Sequence, residues 1–216
     1  MKNVRIVYKK VGDARFVSHL DMNRYFARIL RKADLPLWFT EGFNPHIYTN
    51  FAFPLSLGFE SEGEILDVRL VEDFPLDVMK DKINAISPEI LQVVDVFEPK
   101  QKFTEICFAE YKIHVLSEND GLYDALNEFL NSKEILVTRT NKKGVQKQVD
   151  LVPDITAPKI LKIDGGAELR VILPAGNAKT VNPTLLMEAF AESYEGELDM
   201  HYTRIGFLDK ELKKLA

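Results

Sequence analysis

Two histidines, an aspartate and an asparagine bracket one short segment of this 216-residue chain. Ser18-His19-Leu20-Asp21 opens the segment and Gly42-Phe43-Asn44-Pro45-His46 closes it. A pair of imidazoles with a carboxylate can share general acid–base work on a ribose 2′-hydroxyl, or ligate a divalent metal. Asp21 is available to orient His19, and a neutral ring at the positive end of a helix can accept a proton. Gly42 can take a positive φ and Pro45 fixes the backbone after Asn44, so the turn would hold the Asn44 amide and His46 in defined places. His19, Asp21 and His46 are therefore the catalytic candidates. Their spacing matches no strong zinc signature, and neither a metal nor a cofactor is expected. The competing expectation is that both histidines make structural hydrogen bonds that fix the turn against the helix.

The element between these motifs is well signalled. Ser18 is a good N-cap, with Asp21 three residues later able to reach back to it. Met22, Tyr25, Phe26, Ile29, Leu30 and Ala33 form one apolar stripe at helical period, and Pro36 ends the helix. The outer side carries Arg24, Arg28, Arg31 and Lys32. Three arginines at i, i+4 and i+7 line one ridge and can act together on a polyanion. A solvated basic face without a partner is the plainer alternative.

A second basic feature is a predicted hairpin holding Arg139, Lys142, Lys143 and Lys147, with turn chemistry at Asn141-Lys142-Lys143-Gly144. A two-stranded ribbon with cations at its tip can enter a nucleic-acid groove or clamp a strand, and salt weakens each phosphate contact. Lysines on such hairpins also serve to block edge pairing. Arg24, Arg28, Arg31, Asn44, Arg139, Lys142, Lys143 and Lys147 are the substrate-binding candidates.

Net charge is −5, but the distribution is uneven. Residues 1–50 carry nine Lys/Arg against four Asp/Glu, whereas residues 51–110 carry five against thirteen. The acidic total argues against indiscriminate nucleic-acid binding and leaves room for a local basic surface. No stretch approaches the roughly 20 apolar residues of a membrane span and no apolar signal region opens the chain, so a soluble cytoplasmic protein is expected. The single cysteine, Cys107, excludes an intramolecular disulfide, and its apolar neighbours Ile106 and Phe108 suit a small buried hydrophobe.

The first half reads βαββαβ: strands at Val4–Tyr8, His46–Phe53, Glu64–Val71 and Ile90–Phe97, with a second amphipathic helix through Leu76, Met79, Ile83 and Ile86. After a polar linker, Glu98 to Glu105, the second half repeats the scheme with the hairpin inserted, closing with a helix capped by Asn182-Pro183 and a strand at His201–Leu208. The expected fold is α+β: two ferredoxin-like units, residues 1–98 and 106–216, each an antiparallel sheet with helices on one face. Gly165-Gly166 is a tight turn before it is a phosphate cradle. The run Glu60, Glu62, Glu64 and Asp67 concentrates carboxylates that could dock a basic partner, although its order is no EF-hand loop. Trp38, Phe39, Phe43, Tyr48 and Phe51 follow the first helix, and an exposed ring among them beside an arginine would suit base stacking.

Arg15-Phe16-Val17-Ser18-His19-Leu20-Asp21, the Gly42 to His46 turn, and the stretch from Phe53-Pro54-Leu55-Ser56-Leu57-Gly58 to Glu62-Gly63-Glu64 together resemble a bacterial family of uncharacterised radical-SAM-linked proteins. The resemblance implies an accessory or substrate-presenting role beside a radical S-adenosylmethionine enzyme encoded nearby. The chain has no CxxxCxxC and cannot itself hold the cluster such chemistry needs. Paired ferredoxin-like units also resemble, at fold level alone, RNA-processing proteins of the Cas6-like group. The leading expectation is an RNA-binding accessory protein that presents tRNA or ribosomal RNA to a separate radical-SAM enzyme. The alternatives are a metal-independent ribonuclease using His19 and His46, and a protein–protein adaptor using the acidic run.

Overall fold

Val4 through Tyr8 are all buried, so the first strand is covered on both faces. That strand is the clue to the architecture. A computed structural model of the chain describes residues 1–140, 144 and 146–215. In chain order the first half contains β1 (Lys2–Lys10), α1 (His19–Lys32), β2 (Thr49–Phe51), β3 (Glu60–Leu70), α2 (Leu76–Asn84) and β4 (Val93–Phe97). The second half contains β5 (Phe108–Leu116), α3 (Leu122–Leu130), β6 (Leu136–Thr140), β7 (Gln146–Asp150), β8 (Thr156–Ile163), β9 (Gly166–Pro174), α4 (Pro183–Ser193) and β10 (Asp199–Leu208). No helix among the described residues is long and apolar enough to cross a membrane.

The strand order is β4-β1-β3-β10-β5-β9-β8, with β2 also on β3 and β6 pairing β7 apart from the main sheet. Each half thus places its first and third main-sheet strands in the middle, β1 and β3 in one, β5 and β9 in the other. Val4, Ile6 and Tyr8 share one cluster with Met22, Phe26, Met79 and Ile83, which packs α1 and α2 on the same face. Ala109, Tyr111, Ile113 and Val115 do the same for α3 and α4 through Leu122, Leu126, Leu186 and Phe190.

One expectation is corrected here. The halves do not form two antiparallel sheets; they share one, joined by a parallel pairing of β3 with β10 at Glu60↔Thr203 and Ser61↔Arg204. The reason lies in unequal strand lengths. β2 covers Leu66 to Val68 of the 11-residue β3, so the other end of β3 would leave an open edge, and β10 takes it. Gly63 permits the approach: a Cβ there would sit 2.6 Å from the Ile205 carbonyl oxygen. Gly63→Ala is therefore expected to cost about 1–3 kcal/mol by overpacking the seam. Urea denaturation followed by circular dichroism checks this, since an unchanged midpoint would mean the seam yields freely.

The stretch expected as a free linker is docked. Arg5 is fully buried beneath it. The Arg5 guanidinium forms a fork with Asp67 (2.8 and 3.0 Å) and donates to the carbonyls of Gln101 (2.9 Å) and Leu215 (3.0 Å), while Phe103 lies across it at 4.6 Å. A buried guanidinium whose donors are met in this way ties both the linker and the C-terminal turn to the back of β1.

Candidate nucleic-acid interface

The helix cap forms as the sequence predicts. Ser18 Oγ accepts from the Asp21 backbone N–H (3.2 Å) and donates to Asp21 Oδ2 (2.7 Å), and Arg24 Nη1 reaches Asp21 Oδ1 (3.1 Å). The Ser18 hydroxyl, with Arg24 second, holds the Asp21 carboxyl below the usual carboxylate range. Asp21 is thus committed to the cap and to the ridge. His19 instead packs edge-on against Phe51, ring centres 5.5 Å apart.

His46 sits on the other motif, exposed, and is fixed by its own turn. Its Nδ1 lies 3.0 Å from Thr40 Oγ1 and 3.1 Å from the Asn44 carbonyl, and its backbone N–H donates to Thr40 Oγ1. Gly42 does take a positive φ, of 135°. The segment folds as a small hairpin: Phe39 bridges Ile47, and Leu37 bridges Leu70 at the edge of β3. Arg31, in the last turn of α1, lies 5.9 Å from the Phe39 ring, so the hairpin stands at the C-terminal end of α1, with His46 beside Ile47. His19 is at the N-terminal end, and the twelve residues between His19 and Arg31 span roughly 18 Å at 1.5 Å per residue. Each ring is thus held by its own local contacts, His19 against Phe51 and His46 within its turn.

The ridge and the hairpin do meet. Arg24, Arg28, Arg31 and Lys32 are exposed and line one shallow groove along α1. Next to Arg31, Phe39 is 42 % exposed, and Phe43 at the tip of the same hairpin is fully exposed. Arg69 lies over both Trp38 (5.2 Å) and Tyr48 (4.2 Å), whose rings are 5.8 Å apart, which stiffens the base of the hairpin. The exposed side chain of Asn44 lies at the same tip. Guanidinium groups beside free aromatic rings are what a single-stranded nucleic acid needs: phosphate contacts along the backbone and faces on which bases stack.

The second basic element belongs to the other half. Arg139 and Lys147 are cross-strand partners in the β6–β7 ribbon, and Arg139 Nη2 donates to the Thr180 carbonyl (3.4 Å). Lys142 and Lys143 lie outside the described residues. A run of contacts leads from the ribbon toward the ridge: Thr180, then Asn182 on Ser56 (3.4 Å), then Gly58 N–H on the Arg15 carbonyl (2.9 Å) just before α1.

The acidic run is engaged inside the chain. Glu60 accepts from Gly12 N–H, Glu62 meets Lys112, Glu64 meets Arg204, and Asp67 meets Arg5. Glu62 and Glu64 thereby tie β3 to the second half, while Glu60 and Asp67 are held within the first. Among the described residues no group of three or more His, Cys, Asp or Glu side chains could hold a metal ion.

Residues 3–183 match a protein family described as uncharacterised and conserved in bacteria, DUF2344. The chain belongs to that family. No curated protein matches it. Its fold is similar to two solved structures. A chain of a Cbf5-Nop10-Gar1 complex is 13% identical with a TM-score of 0.54, over 94% of this chain and 48% of that one. A chain of an H/ACA RNP bound to a substrate RNA containing 2′-deoxyuridine is 13% identical with a TM-score of 0.50, over 94% and 46%. This DUF2344 chain therefore spans about half the length of these two solved chains. At such identity the likeness is one of fold.

The sequence reading overlooked a polar cluster on the helix-free face of the sheet, where His114 and His201 are cross-strand partners on β5 and β10. Arg15, Lys112, Glu60 and Glu62 join them around one recess. A signal was present: in β5, Glu110, Lys112 and His114 alternate with buried Ala109, Tyr111 and Ile113, marking a solvated polar face.

Proposed function

We propose that this DUF2344 protein is an RNA-binding accessory protein that presents a structured RNA, tRNA or ribosomal RNA, to a separate radical-SAM modifying enzyme. The observation that carries the RNA reading is the exposed row Arg24, Arg28, Arg31 and Lys32, whose Arg31 end lies beside the exposed Phe39 ring of the hairpin that carries Phe43 at its tip. The fold likeness to a chain of an RNP bound to a substrate RNA supports it in a general way. The radical-SAM partner rests on the sequence resemblance in residues 15–67. Arg139 and Lys147 on the ribbon extend the contact surface into the second half of the chain.

The test is filter binding of cellular tRNA and ribosomal RNA across a salt series, with the wild type beside an Arg28→Glu/Arg31→Glu variant. Two lost phosphate contacts are expected to flatten the log–log salt slope by about 1.4–1.8, from roughly 0.7–0.9 per contact. Affinity at low salt is expected to fall accordingly, with the melting temperature lowered by only a few degrees, the cost of placing acids near the C-terminal end of α1. Equal binding and equal slopes for the two proteins would remove the ridge from the interface. Co-purification of the radical-SAM enzyme with the wild type on addition of RNA tests the presenting role.

A further inference from the structure

We infer that the recess between the two halves, on the helix-free face of the sheet, binds a phosphoryl group. It is bounded by Arg15 ahead of α1, Glu60 and Glu62 on β3, Lys112 and His114 on β5, and His201 and Thr203 on β10, and encloses about 230 Å³. That is smaller than the roughly 300–1,000 Å³ of pockets that take whole drug-sized molecules, and suits one small polar group.

Three observations identify its chemistry. First, Arg15 Nε is buried and has no hydrogen-bond partner among the described residues, although the same guanidinium touches His201 Nδ1 at 3.5 Å and lies 4.8 Å from the Phe16 ring. A buried guanidinium N–H left unmade is costly, and an oxyanion in the recess would satisfy it once the Arg15 side chain turned that edge outward. Second, both imidazoles are anchored from the rim through one ring nitrogen, His114 Nε2 by Glu168 (2.9 Å) and His201 Nε2 by Asp199 (3.0 Å). Anchoring through Nε2–H fixes the rings and leaves Nδ1 of the neutral ring as an acceptor, turned to Arg15 in His201, that becomes a donor once the ring takes up a proton. Third, the carboxylates lining the recess already have donors: Glu60 takes Gly12 N–H at 2.7 Å and Glu62 takes Lys112 Nζ at 2.7 Å.

Carboxylate-backed histidines also suit a metal ion. Here the Arg15 guanidinium stands against His201 Nδ1, where a cation would have to bind, so an anion is the better occupant. Arg15 supplies guanidinium N–H groups, and each imidazole, on taking up a proton at Nδ1 as the anion binds, supplies one more, the arrangement that grips a tetrahedral oxyanion. The inference rests on the RNA reading only in naming the carrier: a phosphate of the bound strand, reached from the N-terminal end of α1.

Titrating inorganic phosphate into the full chain at constant ionic strength, with histidine ring signals followed by ¹H–¹⁵N NMR, is the direct test. Saturable shifts are expected at His114 and His201 and none at His19 and His46. Arg15→Gln is expected to weaken phosphate binding about tenfold or more, the scale of one charge-assisted hydrogen bond. Arg15→Lys, which keeps the charge without the fork, is expected to fall between. Shifts that chloride reproduces, or an Arg15→Gln variant that melts like the wild type and binds phosphate equally well, would overturn the site. Short oligoribonucleotides with a 5′-phosphate or a 5′-hydroxyl then identify the source. Displacement of phosphate by the first alone points to a strand end, and displacement by both to an internal phosphodiester. Displacement by neither overturns RNA as the carrier. The Arg28→Glu/Arg31→Glu protein keeps the failures apart, because it is expected to lose RNA and retain phosphate.

Discussion

Phe43→Ala is expected to weaken binding of a single-stranded RNA loop about tenfold, the loss of one base stacked on a ring at roughly 1–3 kcal/mol. The Phe43 ring is fully exposed at the tip of the 37–48 hairpin, so the fold gains nothing from it and the melting temperature is expected to stay put. A free phenyl ring costs apolar hydration in the unbound protein, which a stacked base would relieve. Fluorescence anisotropy with a labelled RNA hairpin separates this contribution from the arginine ridge. Truncating Phe43 removes no charge, so the affinity is expected to drop by the same factor at every salt concentration, whereas the Arg28→Glu/Arg31→Glu change alters the slope. Unchanged affinity at all salt concentrations would show that the hairpin tip does not touch the RNA.

The features legible in the sequence are those set by local periodicity. The apolar stripe of α1 buries Met22, Phe26, Ile29 and Leu30, and its arginines stand outside, because a 3.6-residue period leaves no other arrangement once Ser18 caps the helix. The turn at Gly42 and the Asn182-Pro183 helix start are equally local. What escaped is long-range. Arg5 looks like the outward member of an alternating strand, and its burial follows from Gln101, Phe103 and Leu215, which come from near and far ends of the chain. Asp21 sits two residues from His19, yet its partners are Ser18 and Arg24, since the i, i+3 geometry of a helix turns it toward them. The histidines at the motif ends were conspicuous through their neighbours, whereas His114 and His201, 87 positions apart, meet only because β5 and β10 pair. The carboxylates of the 60–67 segment read as a docking surface for the same reason: Lys112, Arg204 and Arg5, which hold three of them, are all distant in sequence.

The largest effect on stability is expected at the seam. Arg204 is 3 % exposed and Glu64 5 %, and the guanidinium meets the carboxylate through two donors, Nε at 2.8 Å and Nη2, while Nη2 also reaches the Phe53 carbonyl at 2.9 Å. Around the pair, burial pushes the hydroxyls of Tyr8 and Tyr111 up, so both stay protonated, and it pushes the Lys10 ammonium down. Arg204→Met leaves the Glu64 carboxylate buried without its fork, a loss of about 3–5 kcal/mol. At about 2–4 °C per kcal/mol for a chain of this size, the melting temperature is expected to fall by roughly 10 °C. Arg204→Met with Glu64→Leu removes both charges from the same space and is expected to recover most of that loss, since well-packed apolar replacements of a buried pair are often neutral. Calorimetry of the two single variants and the double gives the coupling directly. If the double melts as low as Arg204→Met, the seam depends on the side-chain shapes and not on the charges. Because Ser61 and Arg204 are register partners where β3 joins β10, the single variant is also expected to loosen one half of the sheet from the other. A urea slope below that of the wild type would report that uncoupling, since m follows the surface exposed in one cooperative step.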